Sequence, residues 1–94
     1  MKQISIEKLQ NDINNNQKGI YSIKLEGIIS TEIQIQNLKI QEEKDIIILK
    51  NGERQEKYIK INKHQIMKIE ENKEEYIIKF DSMQNIKIKE IKEE

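Results

Sequence analysis

The chain has 94 residues, room for one domain (1–94) and one modest core, and a domain of this size buries roughly 60–70% of the surface its unfolded chain exposes. Seventeen basic residues balance seventeen acidic ones, which argues against a broad phosphate-binding surface, although a local basic patch is compatible with overall neutrality. The absence of cysteine excludes disulfides, a thiolate nucleophile and thiolate metal sites, and fits a reducing, cytoplasmic setting.

The apolar residues are 22 Ile, 4 Leu, 3 Met, 3 Tyr and one Phe, with no Val, Ala or Trp. Basic residues are lysine except Arg54. This bias fits an AT-rich coding sequence, as in low-GC bacteria and their phages or plasmids. The longest apolar run is "IIIL", Ile46 to Leu49, too short for a membrane span, and the N-terminal stretch lacks a signal-peptide apolar run.

In chain order, the spacing predicts a helix over about residues 5–14. Ser5 is placed to cap it, and Ile6, Leu9 and Ile13 fall on one stripe. Glu7 suits the positive end of the helix dipole. "NNNQKG", Asn14 to Gly19, then ends the pattern with asparagines and a glycine.

From Ile20 the period becomes two. Tyr21, Ile23 and Leu25 share one face, and Ser22, Lys24 and Glu26 share the other. "TEIQIQNLKIQEE" alternates again, but Ile33 and Ile35 are odd-numbered while Leu38 and Ile40 are even-numbered. A slip of parity at Gln36-Asn37 predicts a bulge that bends the strand. "EEKD" reads as a polar turn, "IIILKNG" as a buried strand ending in an Asn-Gly hairpin turn, and "EKYIKI" as its partner. The turn "NKHQ" leads into "IMKIE", with Ile61, Ile66 and Ile69 inward. Strands "YIIKF" and "IKIKEI" follow, separated by "DSMQN".

The sum is a mainly β domain: one short N-terminal helix, then six or seven antiparallel strands in a small barrel or sandwich. The abundant isoleucine favours strands because a β-branched side chain fits the pleat. "IKLEGII", Ile23 to Ile29, resembles the first segment of Sm proteins, and "KHQIMKI", Lys63 to Ile69, is similar to the second segment of the bacterial Sm-like RNA chaperones. The resemblance implies an SH3-like or Sm-like barrel. It also implies that Lys63 and His64, matching that family's lysine-histidine pair, would contact uridine-rich RNA. The chain departs from the pattern in the longer interval from Gly27 to "IIILKNG" and in continuing through "YIIKF" and "IKIKEI".

The candidate binding residues are Lys63, His64, Tyr58, Lys60 and Arg54. His64 is the one histidine; with no recognisable nucleophile motif, no partner histidine or cysteine and no distinctive carboxylate spacing, it reads first as an exposed turn residue. "KYIKINKHQIMK" is locally basic with an interleaved tyrosine, a pattern that can stack a base. The acids around it also allow a plain solvated face. Arg54, near the hairpin tip, has the chemistry of an interface anchor. Gly19, Gly27 and Gly52 are isolated, so no phosphate loop is present, and no metalloprotease or hydrolase signature appears. The expectation is a non-catalytic binding module without a cofactor or metal. It would engage a protein partner ahead of nucleic acid and act as a phage- or plasmid-borne regulator or inhibitor of a host protein, and a homo-oligomer built through edge strands also fits. The alternative is an Sm-like oligomeric RNA-binding protein.

Overall fold

The computed structural model describes residues 1–16, 19–27, 30–52 and 54–91, with the backbone alone described at 54–57. The chain opens with a short strand, β1 (Lys2–Ile4), and the helix α1 (Ile6–Asn14). The helix starts where the Ser5 hydroxyl accepts the Lys8 N–H at 3.1 Å. That bond satisfies one of the amides a helix start leaves open. Leu9 and Ile13 are fully buried, as the apolar stripe requires. A nine-residue helix is marginal in water by itself, so docking of this stripe holds it.

Eight further strands follow: β2 (Ile20–Glu26), β3 (Thr31–Gln36), β4 (Leu38–Glu42), β5 (Ile46–Asn51), β6 (Arg54–Asn62), β7 (Ile66–Glu71), β8 (Glu75–Phe80) and β9 (Asn85–Ile91). A single 3₁₀ turn, Lys63–Gln65, separates β6 from β7. All pairings are antiparallel. One sheet has the order β1-β7-β8-β9-β2-β3 and the other β4-β5-β6.

The described strands number nine instead of six or seven, for two reasons. The bent strand is cut in two at Asn37, and Lys2–Ile4 pairs with β7. Asn37 alone joins β3 to β4 and adopts φ 57°, a left-handed conformation that asparagine tolerates better than most residues. Its N–H donates to the Gly19 carbonyl at 2.9 Å, and its carbonyl accepts from the Gly52 N–H at 2.8 Å. The bend is therefore pinned on both sides.

The hairpin after β5 differs from its expected form. The register pairs Asn51 with Arg54, so Asn51 belongs to the ladder instead of the turn centre. Gly52, at φ +55°, takes the first central position, where hairpin turns of types I′ and II′ need positive φ.

The core lies between the two sheets. Across the larger sheet, the register aligns Leu25, Ile86, Ile78, Ile69 and Ile4 in one row. Leu38, Ile40, Ile47, Leu49 and Ile61 face them from the smaller sheet, all buried. Each fully buried aliphatic side chain contributes about 1.5–3 kcal/mol. Exposed ion pairs contribute about 0–1 kcal/mol each, so the isoleucines decide the fold's stability.

Among the described residues neither sheet closes on the other through strand pairing: β1 and β3 end one, β4 and β6 the other. The β8–β9 hairpin sits between β7 and β2. It widens the larger sheet to six strands.

Candidate functional site

Two of the four sheet-end strands belong to the smaller sheet, and the chain treats them differently. Along β4, the Asn14 side chain accepts the Ile40 N–H at 2.8 Å and donates to the Ile40 carbonyl at 3.0 Å. Lys39 Nζ in turn reaches the Asn14 carbonyl at 3.1 Å. The end of α1 thus satisfies the outward backbone groups of β4 at Ile40.

At β6 no strand pairs with the outer edge among the described residues. Which of its groups point outward follows from the hydrogen-bond pattern. The Lys63 N–H donates to the Asp45 carbonyl at 2.9 Å, and the Ile46 carbonyl accepts from the Glu43 N–H at 2.9 Å. Odd-numbered residues of β5 therefore face β6, and even-numbered ones face β4. By the alternation of an antiparallel ladder and the register Ile47↔Ile61, Leu49↔Ile59, Ile59 and Ile61 spend their backbone groups on β5. The N–H and C=O of Tyr58, Lys60 and Asn62 point away from the sheet.

Beside this edge runs a groove of about 520 Å³. The Ile59 side of β6 forms one wall; Leu25 at the end of β2, with Phe80 and Ile86 at the β8–β9 turn, forms the other. Gln65 of the 3₁₀ turn lines it as well. The Gln65 carbonyl accepts the Asp81 N–H at 3.3 Å, tying this turn to the β8–β9 turn. Leu25, Ile59 and Phe80 are partly buried, giving the groove an apolar lining at its centre.

The sequence-derived candidates separate into two groups. Tyr58 and Lys60 lie together on the outer face of β6, Tyr58 54% exposed and Lys60 Nζ 5.6 Å from its ring centroid. That distance is within cation–π range. Lys63 and His64 point instead toward the β4–β5 turn. Lys63 Nζ pairs with Glu42 Oε2 at 2.7 Å, and His64 Nε2 lies 3.1 Å from Asp45 Oδ1. Asn62 Oδ1 accepts the His64 N–H at 2.9 Å and shapes the 3₁₀ turn. The Arg54 side chain lies outside the described residues.

Sequence reasoning found the basic stretch of β6 but neither the carboxylates that face Lys63 and His64 nor the groove wall at Leu25 and Phe80. These residues come from distant segments, and no local pattern marks them. A second cleft lies under α1, where Tyr76 Oη donates to Asp12 Oδ2 at 3.2 Å and Asn16 Nδ2 donates to Tyr21 Oη at 2.9 Å. Burial, with Asp12 beside it, pushes the Tyr76 phenol up to about 12. In this cleft Asp12, Asn16, Tyr21 and Tyr76 take their hydrogen-bond partners from within the fold.

Among the described residues no cluster of three or more His, Asp or Glu is placed to hold a metal ion. No described helix is long and apolar enough to cross a membrane. The chain matches no protein-family model, no curated protein and no solved structure.

Proposed function

We propose that the domain is a non-catalytic binding module that captures an extended segment of a protein partner by adding it to β6. One observation carries the reading: the outward N–H and C=O groups of Tyr58, Lys60 and Asn62 border an apolar groove. An incoming strand would satisfy these backbone groups and place alternate side chains in the groove, the established logic of strand addition. Residues two apart on a strand are roughly 6.6 Å apart, the repeat an extended backbone presents.

The bend at Asn37 and the 3₁₀ turn before β7 support a relation to SH3-like and Sm-like barrels, one opened by the extra β8–β9 hairpin. The competing Sm-like reading makes Lys63 and His64 an RNA contact. The half-buried pair of Lys63 with Glu42 favours a structural role for Lys63, while the contact of His64 with Asp45 is largely exposed and adds little to stability. An AT-rich, cysteine-free chain fits the cytoplasm of a low-GC bacterium, where a phage- or plasmid-borne regulator would meet a host protein.

The Lys60 N–H makes no bond within the ladder, so Lys60→Pro removes the central outward donor without cutting an internal one. Peptides selected from a random library on the purified domain should lose binding to Lys60→Pro while the variant unfolds at an unchanged urea midpoint. Selected peptides that bind the folded variant equally well would refute capture at this edge. Salt-sensitive binding of uridine-rich RNA, abolished in Lys63→Ala/His64→Ala, would replace the reading with the RNA-binding one.

A further inference from the structure

We infer that the segment captured at β6 is an acidic, amphipathic strand, with a carboxylate residue between two aliphatic ones. This rests on strand addition at β6 and adds the chemical class of the partner. In an antiparallel addition, a residue opposite Lys60 projects on the same face as Lys60, and its two neighbours project on the opposite face. The neighbours lie opposite Ile59 and Ile61, on the face that looks into the core and the groove. Leu25, Phe80 and Ile86 line the far wall there, so aliphatic side chains fit at both neighbouring positions.

The central position is governed by charge. Among the described residues Glu26 is the one carboxylate lining the groove, and Lys60, whose backbone borders it, carries its side chain on the outer face of β6. Lys87 Nζ neutralises Glu26 at 3.2 Å. Among the described residues no carboxylate pairs with Lys60, whose ammonium lies near the Tyr58 ring. A carboxylate opposite Lys60 completes a cross-strand pair of opposite charge, while a cation there meets like charge.

The same charge argues against a second copy of this chain. If two β6 strands paired antiparallel about residues 59 to 61, their Lys60 side chains would stand opposite or diagonal to each other. Such like-charge neighbours are unfavourable.

The test uses two blocked peptides, one with Ile-Glu-Ile at its centre and one with Ile-Lys-Ile, both flanked by threonines. Affinity is read by fluorescence anisotropy and the site by amide hydrogen exchange. The glutamate peptide should bind tighter, on the order of fivefold at low salt. It should protect the Tyr58, Lys60 and Asn62 amides, and Lys60→Glu should invert the preference. Equal affinities with those amides protected would overturn the acidic class while leaving strand addition intact. No binding and no protection with either peptide would overturn both. A concentration-dependent dimer that protects the same amides without peptide would make a second copy the occupant and also overturn the inference.

Discussion

Asn14 and Ile40 form a two-point contact in which a helix residue takes the place of a neighbouring strand. The Asn14 amide accepts the Ile40 N–H at 2.8 Å and donates to its carbonyl at 3.0 Å. The arrangement both docks the helix and covers the middle of the β4 edge, while among the described residues no strand pairs with the outer edge of β6.

Asn14→Ala should therefore cost more than an ordinary surface substitution. It strands an N–H and a C=O at a partly buried edge, and one such loss costs about 1–3 kcal/mol. Urea unfolding should show a lower midpoint with an unchanged slope. A midpoint equal to the wild type would mean that water replaces the amide at no cost.

The bend at Asn37 makes a second prediction. A β-branched residue is poorly suited to φ 57°, and the left-handed conformation costs roughly 1–2 kcal/mol for residues with a Cβ. Asn37→Val should destabilise by about that amount, whereas Asn37→Gly should be close to neutral. Gly52→Ala should resemble the valine variant, because its φ is +55° and the added Cβ would lie 2.8 Å from Asn37 Nδ2. Thermal melts of the three variants check the order. If valine is tolerated as well as glycine, the bend does not require this conformation.

The third prediction concerns alkaline pH. Burial raises the Tyr76 phenol to about 12, with Asp12 adding charge and a hydrogen bond, against 10.0 for an ordinary tyrosine. Between those values the unfolded chain loses the proton while the folded chain keeps it. Stability present below pH 10 is therefore lost progressively as the pH rises toward 12. Lys8, raised chiefly by its hydrogen bond to Asp12 and also by that to Glu71, contributes in the same direction. Tyr76→Phe should make the alkaline fall in urea midpoint shallower, and phenolate absorbance should show one late-titrating tyrosine fewer than in the wild type, Tyr21 being held up by burial as well. An alkaline limb unchanged by the substitution would assign the loss to other groups.

Much of the fold was legible because its signals are local. Ser5 and the stripe Ile6, Leu9, Ile13 marked the helix, and the switch from Ile33 and Ile35 to Leu38 and Ile40 marked the bend. What escaped depends on partners distant in the chain. "KQI" is too short to read as a strand, and it becomes one by pairing with Glu71, Glu70 and Ile69. The Asn14 amide looked like part of a helix-ending asparagine run, yet its partner is 26 residues away. Lys63 and His64 were visible as a basic pair, but their character depends on Glu42 and Asp45 across a hairpin. The unpaired edge of β6 was illegible for the same reason, since strand order is set by long-range pairing.

One consequence of the single-residue link between β3 and β4 concerns chain length. The link adds one residue to an alternation of period two, so the core-facing positions change from odd to even numbers across it. Inserting or deleting one residue on either side would turn Leu38 and Ile40 outward or Ile33 and Ile35 outward, unless the strand slipped to compensate. Changes of two residues would preserve the phase. The arch joining the two sheets thus depends on whether the count of residues is odd or even, a constraint that no single side chain carries.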